Sequence, residues 1–446
     1  MGGESKLFGL QRPREVALAC YRAALAAAEP RAAVREHLRR EGDMLVADDQ
    51  RYDLARFRRV LVAGAGKAGV PMAAELERIL ADRLAAGLVV VKDGHGGTLQ
   101  RVQVREAAHP VPNAAGVAAT QELLALVASA GPDDLVLCPL SGGGSALLVA
   151  PPPPLTLADT QQLTDLLLRA GCTIDEMNAV RKHCSSVKGG QLARAANGAA
   201  IIALLLSDVI GDAVDVIASG PTVPDSSTFG DALAVIDSHD LRQRIPASVL
   251  QRLEAGRNGL LPETPKPGDP CFVRSQALIV AGLEQACRAA QEEAERQGGS
   301  TLLYSTALQG EARDVARLLL QEADAAAAGR PRPFCLLAGG ETTVTMRGQG
   351  MGGRNQELAL AAALLLEGRP GISLAALATD GGDGPTDAAG AIVDAGTVAV
   401  AAANGRHAAA ALADNDAYPA LDAAGALVRT GPSGTNVNDL FLVLIT

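Results

Sequence analysis

Four side chains that could act on a phosphoryl group lie next to glycine-rich stretches of this sequence. Lys67 and Arg354 are cations, whereas Asp208 and Asp380 are carboxylates that each follow an apolar segment. A cation can stabilise charge on phosphate oxygens, and a carboxylate can hold a divalent metal or accept a hydroxyl proton. Each of these four residues is therefore a candidate catalytic residue.

The stretch LVAGAGKAG has the G-x-G-x-x-G spacing of dinucleotide-binding loops, with Gly64 and Gly66 as its first two glycines. A loop that binds a nicotinamide cofactor does not need the cation that Lys67 provides. The stretch is not a Walker A loop either, because Leu61 takes the place of the first glycine and Ala68 that of the Ser or Thr. We expect Gly64 and Gly66 to let a phosphate approach the backbone, with Lys67 as a charge beside it.

A second glycine-rich stretch, SGGGSALL, follows a predicted strand. Glycines allow backbone N–H groups to approach an oxyanion closely, and serines add hydroxyl donors. The same sequence could also form a tight turn without a ligand. We favour phosphate binding by its five leading residues, which are Ser141, Gly142, Gly143, Gly144 and Ser145.

Carboxylates that could bind a metal occur in SDVIGD and in ATDGGDGPTD. Asp208, Asp380 and Asp383 are the predicted ligands, because hard divalent cations prefer carboxylate oxygens. The second stretch lacks the spacing of an EF-hand loop. An Asx turn is the structural alternative for Asp383.

Candidates for binding an anionic substrate lie in four further stretches. RKHCSSVKGGQLA forms a local basic patch in a chain that is acidic overall, and a solvated helix face would be its structural explanation. GGETTVT, GGRNQE and GTNVND carry acidic and amide side chains beside glycines. The predicted substrate-binding residues are Lys182, Lys188, Glu341, Asn355 and Asn436.

Short apolar strands alternate with helical segments along most of the chain, which predicts an α/β fold built on parallel strands. With 446 residues the chain is too long for one ordinary core. The Pro- and Gly-rich stretch around 255–270 is the best candidate linker. We predict two three-layer α/β/α domains, 1–262 and 263–446, the first of them Rossmann-like with a mainly parallel sheet.

The composition favours an enzyme that acts on small molecules in the cytoplasm. The formal net charge is −10 and only 2% of residues are aromatic, which argues against a nucleic-acid partner. The seven cysteines form no C-x-x-C pair, as expected for reduced thiols. No apolar run is long enough to cross a membrane.

Ten motifs in order make the sequence resemble the glycerate 2-kinase family, also called class II glycerate kinases. They are GAGKAG, HPVPN, SGGGSALL, VRKHCSSVKGGQLA, SDVIGD, ASGPT, GGETTVT, GGRNQE, TDGGDGPTDAAGAIVD and GTNVNDL. The family often has Asp after HPVP, where this chain has Asn113. The family joins an N-terminal Rossmann-like domain to a C-terminal MOFRL domain, and the resemblance covers almost the whole chain.

This resemblance implies that ATP, with Mg²⁺, phosphorylates D-glycerate to 2-phosphoglycerate. The family's active-site Lys, Asp, Arg and Asp match Lys67, Asp208, Arg354 and Asp380, and the resemblance places the active site in the interdomain cleft. Two alternatives stay open: an NAD(P)H-dependent hydroxypyruvate reductase and a non-catalytic nucleotide or sugar-acid sensor. The expected assembly is a monomer or homodimer.

Overall fold

The computed structural model describes residues 13–446, which form two compact units. Unit 1 contains residues 13–29, Asp208–Gly211 and Ala281–Thr446, and unit 2 contains Pro30–Ser207 and Asp212–Val280. The sequence-based boundary at 262/263 lies within unit 2, because the strand Ser275–Ala281 still belongs to the sheet of that unit.

The strands of the described chain lie at defined positions. In chain order they are β1 (Leu38–Glu41), β2 (Met44–Ala47), β3 (Gln50–Asp53), β4 (Arg59–Ala65), β5 (Leu84–Lys92), β6 (Val102–Ala107), β7 (Asp134–Leu140), β8 (Ala200–Leu206), β9 (Ser275–Ala281), β10 (Ser300–Glu311), β11 (Phe334–Thr343), β12 (Ile372–Ala378), β13 (Gly390–Asp394), β14 (Leu427–Val428) and β15 (Asp439–Ile445).

Helices connect most of these strands. In chain order they are α1 (Pro13–Ala27), α2 (Pro30–His37), α3 (Gly69–Leu80), α4 (Ala114–Ala128), α5 (Gly144–Leu147), α6 (Leu157–Arg169), α7 (Ile174–His183), α8 (Gln191–Ala195), α9 (Phe229–Ser238), α10 (Ala247–Arg257), α11 (Leu283–Arg296), α12 (Ala312–Ala327), α13 (Arg354–Leu366), α14 (Thr397–Ala403), α15 (Ala408–Ala413) and α16 (Ala417–Ala423). Short 3₁₀ turns occupy Leu54–Arg56, Ala81–Arg83, Ile217–Ser219 and Pro270–Phe272.

The main sheet of unit 2 has the strand order β6-β5-β4-β7-β8-β9, and its first five strands are parallel. Every residue of β7 and β8 is buried, which agrees with their nearly continuous apolar sequences. The strand order reverses at β4 and β7, where ligands of open α/β sheets bind beyond the carboxyl ends. Both glycine-rich loops, 64–69 and 141–145, follow these two strands. The predicted Rossmann-like, mainly parallel fold of the N-terminal part is confirmed.

Unit 1 contains a mixed sheet with the order β10-β11-β15-β12-β13-β14. The last long strand, β15, lies between β11 and β12 and is antiparallel to both. The core of unit 1 is made mostly of Ala, Leu and Val side chains, and it includes the fully buried aromatic residues Phe334 and Phe441. Helix α1 packs against α11 and so joins this unit from the other end of the sequence.

A three-stranded antiparallel sheet, β1-β2-β3, was not predicted. The sequence of residues 13–40 has the spacing of an amphipathic helix throughout, but α2 ends at His37 and β1 begins at once. Gly42, with a φ of 65°, lies in the tight turn between β1 and β2. Within the described residues, no helix is long and apolar enough to span a membrane.

Candidate functional site

The register of the unit 1 sheet gathers polar residues at one edge. Asp439, the first residue of β15, lies opposite Gly340 in β11 and Ala378 in β12. Because β11 and β12 both run antiparallel to β15, their carboxyl ends meet where β15 begins. Glu341 and Asp380, which follow Gly340 and Ala378 closely in sequence, are therefore placed at the same edge of the sheet.

Arg354, the first residue of α13, is held by carboxylates at this edge. Its Nε and Nη2 donate to the two carboxylate oxygens of Asp439 at 2.6 and 3.1 Å, and its Nη1 donates to Glu341 Oε1 at 2.6 Å. Burial alone would lower the pKa of Arg354, but its hydrogen bonds with Asp439 and the negative charges around it raise that pKa instead. The guanidinium is therefore a permanent and strongly oriented cation.

Asp383 caps the N-terminus of α13 from a separate loop. Its Oδ1 accepts from the backbone N–H of Asn355 at 3.1 Å, and its Oδ2 accepts from that of Gln356 at 2.8 Å. Gly353, at the N-cap position of α13, has no side chain to do this. Burial raises the pKa of Asp383 to about 7, although these N–H bonds oppose the shift. Both oxygens are thus engaged within the protein, and metal binding by Asp383 stays a prediction.

Asp380 is exposed, in contrast to Asp383. Its Oδ1 accepts a hydrogen bond from the Gly382 N–H at 3.0 Å, which fixes the side chain at the start of the loop. Asp380, Arg354 and Asp383 line one cavity of about 370 Å³ that also includes glycines 352, 353, 382 and 384. This volume is within the range of small-molecule sites.

Asp208 and Asn436 are close to the same strand start. Asn438 donates from Nδ2 to the backbone oxygen of Asp208 at 2.8 Å, and the side-chain oxygen of Asn436 accepts from the Asn438 N–H at 3.2 Å. Asn438 itself has a φ of 66°, a left-handed conformation that asparagine adopts more easily than most residues. Unit 1 therefore contains Asp208, Arg354 and Asp380 of the predicted catalytic group.

The two glycine-rich loops of unit 2 pack directly against each other. A Cβ on Gly64 would collide with the backbone oxygen of Pro139, and one on Gly66, whose φ is 133°, would collide with Ser141. The Ser141 hydroxyl is buried and accepts a hydrogen bond from the Ala68 N–H at 3.0 Å. These glycines and Ser141 hold the two loops together.

Lys67 lies where the loops meet. Its backbone N–H donates to Gly142 O at 2.9 Å, and its side-chain stem lies beside Gly143. Burial, followed by the positive charge of Lys67, lowers the pKa of the His109 imidazole. Across residues 13–446, the Lys67 ammonium makes no hydrogen bond or ion pair, and the N–H groups of Gly142 and Gly143 have no acceptor. A cation and two free N–H donors are thus available to an anion.

The other predicted substrate-binding residues have different surroundings. Lys182 is buried and ion-paired with Asp215 at 3.2 Å and Asp225 at 3.4 Å, so acidic partners already neutralise its charge. Asn355 is fully buried, and its Oδ1 has no hydrogen-bond partner within the described part of the chain. Lys188 is buried beside Ser145, to whose backbone oxygen its Nζ donates.

Sequence reasoning missed Asp439 altogether. It is fully buried, and its ionic partner Arg354 is 85 residues away. The available signal was an aspartate at the first position of an apolar strand, NDLFLVL. Asp387, grouped with Asp380 and Asp383 in the sequence, instead lies on the surface and pairs with Arg429 at 3.1 Å.

Two families match the chain. Residues 16–254 match a domain of unknown function, DUF4147, and residues 334–439 match the MOFRL family. The chain is also similar to a D-glycerate 2-kinase from Thermotoga maritima, with 40% identity over 87% of this chain and 91% of that protein.

A similarity of the same degree links the chain to a protein from Agrobacterium vitis named putative hydroxypyruvate reductase, with 40% identity over 97% of this chain and 94% of that protein. The crystal structure of a glycerate kinase from Thermotoga maritima superimposes with a TM-score of 0.86. It is 39% identical in sequence, and the match covers 97% of this chain and 99% of that one.

Proposed function

The chain belongs to the family of these glycerate 2-kinases, and we propose that it transfers the γ-phosphoryl group of ATP to the 2-hydroxyl of D-glycerate. The products would be ADP and 2-phosphoglycerate. The structural observation that carries the proposal is Lys67, a cation without a partner in the described residues, beside two backbone N–H groups without acceptors. Phosphoryl transfer depends mostly on positioning and on such donors for developing charge.

We assign one group of residues to the phosphoryl donor, ATP, and another group to the phosphoryl acceptor, D-glycerate. In unit 2, the loop Ser141–Ser145 would receive nucleotide phosphates on its free N–H groups, and Lys67 would stabilise the transferring phosphoryl group. In unit 1, Arg354 would bind phosphoryl oxygens or the substrate carboxylate by charge-assisted hydrogen bonds. Asp208 or Asp380 would orient the 2-hydroxyl and accept its proton.

The carboxylates of unit 1 fit the Mg²⁺ that such a reaction uses. Magnesium prefers carboxylate oxygens together with water and substrate phosphates. Asp380 is exposed and lines the cavity, and so offers an oxygen ligand there. The other of Asp208 and Asp380 would be the principal ligand, and Asp383 is a candidate whose oxygens would first have to leave the N–H groups of α13. Magnesium would neutralise phosphate charge when bound.

One assay separates this proposal from the reductase named among the relatives. Purified protein is mixed with D-glycerate, ATP and MgCl₂, ADP is followed continuously, and the phosphoglycerate isomer is identified by ³¹P NMR. Hydroxypyruvate is tested in parallel with NADH and NADPH. Magnesium-dependent 2-phosphoglycerate without nicotinamide oxidation is the expected result. Nicotinamide oxidation without ADP would contradict the kinase proposal, and binding without turnover would indicate a sensor.

Cytoplasmic localisation and a monomeric or homodimeric state belong to the same proposal. The seven cysteines are all free thiols, and five of them are buried, as suits a reducing compartment. Fractionation of cells and light scattering of the purified protein would test these two points separately.

A further inference from the structure

Helix α7 ends in three consecutive basic side chains with unequal surroundings. Lys182 is paired with Asp215 and Asp225, and His183 lies 3.0 Å from a carboxylate oxygen of Glu263. Arg181 makes no hydrogen bond or ion pair with any described residue. The unpaired guanidinium lines a cavity and is partly buried, which distinguishes it from a solvated surface arginine.

A second cation lines the same cavity. Lys188 is 5% exposed, and its Nζ donates to the backbone oxygen of Ser145 and lies 3.5 Å from the Ser145 hydroxyl oxygen. Burial lowers the pKa of Lys188 well below its usual range, and the positive charge of Arg181 lowers it further. Arg181 and Lys188 thus line one partly closed space, in which burial and the charge of Arg181 disfavour the charged form of Lys188.

The cavity offers these cations no compensating charge. None of the described residues that line it is Asp or Glu; the other lining groups include Pro110, Thr160 and Ser185. Buried cations without an anion are unfavourable, so a ligand that supplies the missing negative charge would be favoured in this cavity. The free space is about 30 Å³, enough for a carboxylate but too small for a nucleotide.

Lys188 donates to the backbone oxygen and to the hydroxyl oxygen of Ser145, which leaves its third N–H donor for such an anion. Ser219 donates from Oγ to Asn178 Oδ1 at 2.9 Å, so the 2.6 Å contact between the two serine hydroxyls has Ser145 as donor. Ser145 then presents only acceptors to Lys188. An ammonium has three N–H donors, and the uncommitted guanidinium of Arg181 adds more.

We propose that Arg181 and Lys188 bind the carboxylate of a small 2-hydroxy acid, the phosphoryl acceptor in the function proposed above. Ser145 connects this pocket to the glycine-rich loop, because it directly follows Gly142–Gly144 in sequence. A carboxylate in the pocket would therefore place the adjoining hydroxyl-bearing carbon close to the phosphate-binding N–H groups. The pocket selects substrates that carry a carboxylate next to the reacting hydroxyl.

The test compares Arg181→Met and Lys188→Met with wild-type protein. The matched control is Arg169→Met, which removes an exposed arginine paired with Asp165 on the neighbouring helix α6. We expect the KM for D-glycerate to rise about 10- to 100-fold in the two pocket variants, because each variant loses charge-assisted hydrogen bonds to the carboxylate. In Arg181→Met, the kcat at saturating D-glycerate and the KM for ATP should change less than about 3-fold.

Calorimetry without ATP makes the test independent of turnover. Wild-type protein should bind D-glycerate but not its neutral amide, D-glyceramide, and Arg181→Met should lose this preference. Unchanged D-glycerate affinity in a folded Arg181→Met protein would overturn the pocket, and so would a rise in the KM for ATP alone, which would assign these cations to phosphate.

The thermal midpoint separates a binding role from a structural one. Removal of an uncompensated cation should leave the midpoint of Arg181→Met unchanged or higher without ligand. A lower midpoint with a normal KM would overturn the proposal in favour of a structural role. If wild-type protein phosphorylates no D-glycerate, the proposed function fails, but lost D-glycerate binding in Arg181→Met would still support the pocket. No D-glycerate binding by the wild type would overturn both.

Discussion

Arg354 and Asp439 form a two-pronged ion pair that joins the start of helix α13 to the start of the central strand β15, with N–O distances of 2.6 and 3.1 Å. Asp439 is fully buried, whereas the Arg354 side chain is 32% exposed and lines the cavity. Asp439 therefore fixes the guanidinium from its buried side, and the exposed part of the guanidinium remains available to a ligand in the cavity. Burial raises the pKa of Asp439, and its hydrogen bonds with Arg354 oppose that shift.

Substitution Asp439→Asn should impair both stability and catalysis. The amide can accept only one of the two hydrogen bonds, and the Arg354 charge loses its buried counterion. Loss of one partner of a buried pair costs about 3–5 kcal/mol, and a misplaced guanidinium should lower kcat/KM about 10- to 100-fold. Urea unfolding and steady-state rates measure the two effects.

The control for this variant is Asp387→Asn, which weakens the exposed pair with Arg429. An exposed pair contributes no more than about 1 kcal/mol, so this control should retain wild-type stability and rates. Equal unfolding free energies and equal kcat/KM values in Asp439→Asn and Asp387→Asn would contradict the role of Asp439 in orienting Arg354.

Arg354→Lys should lose activity although it keeps the positive charge. Lysine has no planar fork, so it cannot donate at once to both oxygens of Asp439, to Glu341 and to a ligand. We expect kcat/KM to fall about 100-fold or more while the fold is retained, as checked by circular dichroism. An Arg354→Lys enzyme with wild-type rates would remove the guanidinium geometry from the mechanism.

Lys67→Ala should act on the chemical step rather than on acceptor binding. Lys67 has no partner in the described structure that would lose a contact, so stability should change little. A cation that stabilises the transferring phosphoryl group contributes about 10²- to 10³-fold in kcat. Steady-state kinetics should show that loss in kcat with the KM for D-glycerate changed less than about 3-fold. A near-normal kcat would exclude Lys67 from the transfer.

Strand-end residues were predictable from sequence because carboxyl ends of strands are where α/β sheets bind ligands. That rule found Asp380 and Glu341. The rule could not find Asp439, because this residue lies at the beginning of its strand. The role of Asp439 depends on its ion pair with Arg354, which is 85 positions earlier. Long-range pairing depends on strand order, and the insertion of β15 between β11 and β12 is not encoded in any local pattern.

Local sequence patterns also did not predict the small sheet β1-β2-β3. Its strands have four residues each and mixed polarity, so they resemble a continuation of the preceding amphipathic helix. The Gly42-Asp43 turn was the missed hairpin signal. The basic patch at 181–188 was visible in sequence, but only the structure shows that Lys182 has carboxylate partners whereas Arg181 and Lys188 face a cavity.

Asp380→Asn should slow turnover strongly without unfolding the protein. The side chain is exposed and, among residues 13–446, makes one hydrogen bond, from the Gly382 N–H, which an amide oxygen can also accept. Loss of a metal ligand or proton acceptor should lower kcat about 10²- to 10⁴-fold. A rise in the Mg²⁺ concentration needed for half-maximal rate would indicate metal binding, and an unchanged requirement would indicate the proton acceptor. An active variant would remove Asp380 from the chemistry.

Asp383 should make the free energy of unfolding depend on pH. Burial raises its folded-state pKa to about 7, whereas an aspartate in the unfolded chain releases its proton near pH 4. Between these values the folded protein keeps a proton that the unfolded chain has released. The free energy of unfolding therefore falls as pH rises from about 4 to about 7, by a few kcal/mol at most, and this contribution is constant above that range.

Asp383→Asn should reduce this slope, because asparagine does not titrate. Some slope should remain, since the pKa of Asp439 is raised in the same direction. Urea unfolding at pH 5, 6, 7 and 8 measures the effect in both proteins, with Asp387→Asn as the matched control because its lowered pKa keeps it ionised throughout. The free energy of unfolding of Asp383→Asn, relative to that of wild type, should be highest at pH 8, where wild-type Asp383 is charged. Identical slopes in Asp383→Asn and wild type would show that Asp383 titrates outside this window.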